Sequence, residues 1–219
     1  ADGPLAWFAV HDAAQPWPAE ELQEAARVVW NSGLERSAFD AALGRIQQAI
    51  GAGELYQVNY TAPLTGVLQG SAAALFAALQ RAQPGGYAAH IDAGGEQVLS
   101  VSPELFFDWQ DVAGGGDILA RPMKGTAARG ATPEEDAAQA ARLRTAPKER
   151  AENVMIVDLL RNDLSRIALP YSVQVPRLFD TTPLPTVWQM TSDVRARTRP
   201  GICLADVFAA LFPCGSVTG

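Results

Sequence analysis

Residues 87–121 read YAAHIDAGGEQVLSVSPELFFDWQDVAGGGDILAR, and this stretch decides the fold class. Tyr87–Ile91 and Gln97–Ser102 predict two strands joined by a Gly-containing turn. Leu105–Trp109 and Ile118–Arg121 predict a second pair of strands, joined across three consecutive glycines. Strands joined by such short turns lie antiparallel, so two hairpins in succession indicate an antiparallel sheet.

The hairpins are surrounded by helical patterns. Apolar residues recurring every three or four positions predict helices at Ser37–Ile50, Ser71–Ala82, Pro133–Arg144, Lys148–Leu164 and Leu204–Phe212. Alternating patterns predict further strands at Leu55–Leu64 and Val187–Val194. Because helices alternate with hairpins and not with single strands, we expect an α+β fold with antiparallel sheet instead of a doubly wound parallel fold.

The composition excludes several classes of function. With 219 residues, 48% hydrophobic and 19% charged, the chain is long and apolar enough for a well-cored globule. A net charge of −7 argues against a general binder of nucleic acid or anionic membrane. Two cysteines and two histidines are too few for a disulfide framework or a His-based metal site, and a cytoplasmic location is expected. No signal peptide or membrane-spanning stretch is predicted.

Lys124 is unusual because only it and Lys148 are lysines among the 17 basic residues. It lies in Arg121–Thr126, which its Pro and Gly residues predict to be a loop. Arg is a poor nucleophile, whereas a Lys amine is suited to nucleophilic attack or to positioning a charge. The alternative is an ordinary surface lysine.

Three further groups are candidates for chemistry. Glu104 follows Pro103 at a strand end and precedes an apolar run, which suits a general acid or, alternatively, a solvated turn residue. Glu149 and Glu152 share a helix face and suit a hard cation such as Mg²⁺, although acidic residues also favour the first turn of any helix. Residues 215–219, a Gly-Ser-x-Thr-Gly run, are able to present amides and hydroxyls to an anion.

Taken in order, five stretches resemble the chorismate-utilising enzymes: Gly53–Thr61, Ser102–Phe106, Arg121–Thr126, Lys148–Asp163 and Phe212–Gly219. The family fold is α+β, with two facing, mostly antiparallel sheets and helices outside. By this resemblance, residues 1–36 form a lead-in segment and 37–219 the N-terminal portion of the catalytic domain. The family continues beyond the position of Gly219, so the chain is expected to be C-terminally truncated and inactive by itself.

Within the family, the pair Lys124 and Gln57 is similar to the aminodeoxychorismate synthase component I branch. The anthranilate synthase branch typically has Ala at the first position and remains the alternative, together with a non-catalytic fragment. The resemblance implies amination of chorismate to 4-amino-4-deoxychorismate, on the way to folate. Ammonia would come from a separate glutamine amidotransferase subunit, because neither Cys203 nor Cys214 has a glutaminase-like setting.

The resemblance also implies roles for single residues. Lys124 would attack C2 of chorismate, and Glu104 would protonate the departing C4 hydroxyl. Glu152 matches a ligand of Mg²⁺, and Glu149 matches an acidic position near it. The positions that match substrate contacts are Gln57, Gly125, Thr126, Gly215, Ser216 and Thr218. Gln189 departs from the family pattern, since many relatives have His there.

Overall fold

A computed structural model describes residues 12–13, 25–31, 33–55, 58–111 and 114–214. Along the chain the elements are β1 (Arg27–Trp30), α1 (Arg36–Gly51), β2 (Gly66–Gln69), α2 (Ala72–Ala82), β3 (Tyr87–Asp92), β4 (Gln97–Ser102), β5 (Leu105–Gln110), β6 (Asp117–Arg121), β7 (Met123–Ala128), α3 (Pro133–Thr145), α4 (Pro147–Ser165), β8 (Gln174–Pro183), β9 (Val187–Arg197) and α5 (Leu204–Leu211). Every strand pair is antiparallel, which confirms the predicted α+β class. Among the described residues, no helix is both long and apolar enough to cross a membrane.

The described chain divides into two compact units, and Leu64–Ser102 belongs to the first of them. In this unit β1 pairs with β2, and β3 pairs with β4 in the register that aligns Tyr87 with Ser102. The first predicted hairpin is therefore confirmed. Helix α2 begins where the Ser71 hydroxyl accepts a hydrogen bond from the Ala74 amide, and it buries Phe76.

The second unit, which includes Gly33–Pro63 and the chain from Pro103 onward, is built on a five-stranded sheet. Strand β9 is its centre: β6 and β7 pair with successive parts of β9, and β8 also pairs with it. Strand β5 extends the sheet from β6, so the second predicted hairpin is also confirmed. The position of Lys124 is thus fixed by a strand that lies more than sixty residues further along the chain.

The core of the second unit lies between this sheet and helices α4 and α5. Ile156, Leu160 and Leu164 recur every four residues on α4 and are at most 3% exposed. They form one cluster with Val194 of β9 and Val207 of α5. This apolar stripe fixes which face of α4 meets the sheet, and hence which of its polar residues come close to Lys124.

Two predicted features are wrong. Leu55 and residues 58–64, the described part of the predicted strand Leu55–Leu64, are irregular, and the strand lies further along as β2. An alternating pattern forms a strand only where a neighbouring backbone is available to pair with it. The predicted loop Arg121–Thr126 is also wrong, because Met123–Ala128 forms β7 and pairs with β9. The glycine that resembled loop punctuation, Gly125, lies where the register shifts and has a φ of +99°, so it accommodates a β-bulge.

Candidate active site

Lys124 lies in β7 and is half-buried, directly after the buried Met123. The Glu104 side chain reaches the same place from the bend between β4 and β5. Its Oε1 accepts a hydrogen bond from the Met123 amide at 3.1 Å. The structure therefore places the carboxylate of Glu104, the predicted general acid, on the backbone amide of the residue before Lys124, the predicted nucleophile.

A second carboxylate lies against the residue that follows Lys124. A Cβ added at Gly125 would be 3.2 Å from both the Cβ and the Oε2 of Glu149, and 3.3 Å from the Cβ of Met190. Glycine is required here for two reasons, the positive φ of 99° and this close approach of α4. In β7, the residue before Lys124 is thus hydrogen-bonded to Glu104, and the residue after it lies close to Glu149.

Glu152 is one turn further along α4. Its Oε1 lies 3.8 Å from Nζ of Lys148, and the two side chains are 45% and 81% exposed, so this ion pair is weak. Glu149 and Glu152 both offer hard oxygen donors, which suit Mg²⁺. Among the described residues, no group of three or more His, Cys, Asp or Glu side chains is arranged to hold a metal. An ion held by these two carboxylates would take its remaining ligands from waters and substrate oxygens.

The Thr126 hydroxyl is engaged across the sheet. It donates a hydrogen bond to Oε1 of Gln189 at 2.5 Å, and the two residues are register partners in β7 and β9. Gln189 thus lies beside the predicted site, although the role of this position was not predicted. The remaining predicted substrate contacts, Gln57, Gly215, Ser216 and Thr218, lie outside the described residues and stay predictions.

Arg121, Arg177 and Asp193 form a cluster that was not predicted. The Asp193 side chain is 3% exposed and lies 2.6 Å from Nε of Arg121 and 2.7 Å from an amino group of Arg177. Burial acts to raise the pKa of Asp193, but the hydrogen bonds from Arg121 and Arg177 outweigh it and hold the pKa below its ordinary value. The cluster joins β6, β8 and β9. Its member in β6, Arg121, is three residues before Lys124 in the chain. Only the three-dimensional pairing of the strands reveals it, because Arg121 and Asp193 are 72 residues apart.

A groove of about 640 Å³ lies elsewhere in the second unit. It is lined by residues of β5, β6 and β9, by Gln174 at the start of β8, and by the turn around Tyr171. None of the predicted site residues that the structure describes lines it. The candidate site is therefore defined by the surroundings of Lys124 and not by this groove.

The sequence of this chain is similar to known proteins over most of its length. The sequence model for "chorismate binding enzyme" matches residues 5–219. Aminodeoxychorismate synthase component 1 of Klebsiella aerogenes is 42% identical over 190 residues, which cover 87% of this chain and 41% of the relative. Anthranilate synthase component 1 of Streptomyces coelicolor is 34% identical over 191 residues, which cover 87% of this chain and 37% of the relative. The chain thus spans about two fifths of the length of the relatives it matches.

A solved structure agrees with this assignment. The crystal structure of anthranilate synthase component I from Streptococcus pneumoniae superposes with a TM-score of 0.76 at 26% identity. The match covers 88% of this chain and 41% of that one. Because the family model matches residues 5–219 and the antiparallel α+β fold agrees with that of a solved relative, the chain belongs to the chorismate binding enzyme family.

Proposed function

We propose that the protein containing this chain aminates chorismate at C4 to give 4-amino-4-deoxychorismate. The observation that carries the proposal is the position of Lys124. The amide of Met123, directly before it, is hydrogen-bonded to Glu104, and Gly125, directly after it, lies close to Glu149. The relatives named aminodeoxychorismate synthase, at 35% to 42% identity for component 1, support this choice of reaction.

In the proposed reaction the Lys124 amine attacks C2 of chorismate. Both ring double bonds shift by one position toward C4, the C4 hydroxyl leaves, and Glu104 supplies the proton that makes it water. Ammonia then attacks C4, both double bonds shift back, and the Lys124 amine is expelled from C2. The ammonium at C4 returns one proton to Glu104, so chorismate and ammonia give the amine and water. The covalent intermediate divides one difficult displacement into two easier steps.

The hydrogen bond from the Met123 amide to Oε1 of Glu104 supports this role, because it holds the carboxyl group on the backbone next to Lys124. Glu152, with Glu149 beside it, would hold Mg²⁺. When bound, that ion would neutralise the ring carboxylate of chorismate. The proposed substrate contacts are Gly125, Thr126 and the residues outside the described range, Gln57, Gly215, Ser216 and Thr218. The relatives' designation as component 1 supports a second component that delivers ammonia from glutamine.

The test is a matched pair of substitutions at the two lysines, made in the full-length gene product that contains this chain. With chorismate, ammonium and Mg²⁺, we expect Lys124→Arg to lower the turnover by roughly 1,000-fold or more, the scale seen when a covalent nucleophile is lost. Lys148→Arg keeps the charge beside Glu152 and should stay within about threefold of the wild type, since surface changes of this kind are nearly neutral. The product is identified by mass spectrometry. Near-normal turnover by Lys124→Arg would exclude the nucleophilic role, because a guanidinium supplies charge but does not attack.

A second candidate reaction is supported by the similarity to anthranilate synthase component 1. The same assay separates the two reactions, since that enzyme releases fluorescent anthranilate together with pyruvate. Anthranilate from the wild-type protein would refute the amination. Assaying the 219-residue chain alone tests whether it is an inactive fragment, and turnover by that chain would exclude the fragment hypothesis.

A further inference from the structure

Asn153 is a polar side chain buried within the apolar face of α4. It is 0% exposed, and both ends of its amide are engaged. Its Nδ2 donates to the carbonyl oxygen of Lys124 at 3.4 Å, and its Oδ1 accepts a hydrogen bond from the Ser192 hydroxyl at 2.6 Å. A buried amide retained in a core must be fully partnered, so these contacts define its orientation closely.

Ser192 connects this amide to the sheet. It is 1% exposed, and its Oγ also accepts a hydrogen bond from the Phe179 amide of β8 at 3.1 Å. Its own amide donates to the carbonyl of Pro122 at 3.3 Å, two residues before Lys124. The chain of contacts therefore runs from β8 through Ser192 and Asn153 to the Lys124 backbone.

The contact at Asn153 lies one helical turn from the contact at Glu149. Residues four apart share a helix face, so Glu149 and Asn153 both meet β7, the first against Gly125 and the second against the Lys124 carbonyl. Two contacts one turn apart fix both the rotation of α4 and its position along β7. A shift of one residue on α4 would break both at once.

We infer that Asn153 and Ser192 are positioning residues, which hold the Lys124 segment of β7 at a set place relative to the acidic turn of α4. They touch neither the amine nor any reacting atom, and they act through the Lys124 carbonyl. The expected effect on turnover rests on the proposed function. The expected effect on the surroundings of the Lys124 amine does not depend on any reaction.

The test compares Ser192→Ala with Thr198→Val in the full-length gene product. Thr198 is a matched control, because it is 1% exposed and its hydroxyl accepts a hydrogen bond from the Gly116 amide at 2.8 Å, just beyond the end of β9. Both variants should lower the melting temperature. We expect Ser192→Ala to lower kcat by roughly 10- to 100-fold, the scale of a displacement near 1 Å, with KM for chorismate changed by less than about threefold. Thr198→Val should keep the wild-type kcat.

A second readout needs no turnover. The protein is treated with a small amine-reactive reagent, and mass spectrometry gives the ratio of labelling at Lys124 to labelling at Lys148, within this chain. We expect the ratio to change in Ser192→Ala and to stay constant in Thr198→Val. If even the wild type fails to convert chorismate, the proposed function is wrong, and this ratio alone decides the positioning role.

The inference is overturned if Ser192→Ala keeps the wild-type kcat or, in the absence of turnover, the wild-type labelling ratio. An equal loss in both variants also overturns it, because that result would reflect stability alone. If Ser192→Ala does not fold, Ser192→Cys replaces it, since it keeps a weak hydrogen-bonding group at the same place. The same two readouts and the same criteria then apply.

Discussion

Replacing Gly125 by Ala tests the geometry of the candidate site directly. A non-glycine residue held at a φ of +99° costs about 1–3 kcal/mol. The added Cβ would also lie 3.2 Å from Glu149 and 3.3 Å from Met190, and such overpacking typically costs about 1–3 kcal/mol. Because a shift of α4 relieves part of the contact, we expect the free energy of unfolding to fall by about 2–4 kcal/mol.

The assay is urea denaturation followed by tryptophan fluorescence, to which Trp109 and Trp188 of the second unit contribute. Gly44→Ala is a matched control, since Gly44 lies within α1 and a Cβ there meets nothing within 4 Å. That variant should be more stable by about 0.5–1 kcal/mol, the usual gain for this change inside a helix. If Gly125→Ala were as stable as the wild type, neither the bulge nor the contact with Glu149 would be as described.

The remaining predictions concern the buried ion pairs and the core. The low pKa of Asp193 in the folded state means that its ionised form stabilises the protein above the unfolded pKa of about 4, and that this contribution is lost as the pH falls below that value. Urea denaturation between pH 7 and pH 3 should therefore show a smaller pH dependence for Asp193→Asn than for the wild type, and an identical dependence would contradict the ion-pair cluster. Leu164→Ala, at a position 0% exposed, should lower the free energy of unfolding by about 2–5 kcal/mol, whereas Leu204→Ala, at a position 52% exposed, should change it by less than about 0.5 kcal/mol in the same assay.

The parts of the fold that depend on local pattern were predictable. The two hairpins and helix α4 follow from turns and from apolar spacing within short windows, and they occur where expected. Strand β8 was not predicted, because it carries prolines and two register shifts that disrupt any alternating pattern. It exists because β9 provides a partner along its length, and that information is absent from its own sequence.

The candidate site shows the same division between local and distant information. The rarity of lysine identified Lys124, local pattern made Glu104, Glu149 and Glu152 candidates, and family resemblance favoured specific roles for them over the alternatives. No local pattern predicted that Glu104 would bind the Met123 amide, or that Asn153 would reach the Lys124 carbonyl, 29 residues away in the chain. These contacts depend on how β7 and α4 come together in the folded unit.

The error at Lys124 is informative about the site itself. A Pro and a Gly around a polar residue indicate a loop when the segment is considered alone, but here the Gly lies in a bulge of a paired strand and the Pro directly precedes that strand. A bulge redirects side chains while the strand on either side stays fixed by its ladder. The two lysines of the chain differ in their surroundings. Lys148 is 81% exposed and pairs weakly with Glu152. Lys124 is half-buried beside the bulge, with Glu104 against the residue before it and Glu149 against the residue after it. A reactive amine needs such a fixed position, and an amine that serves only for solubility does not.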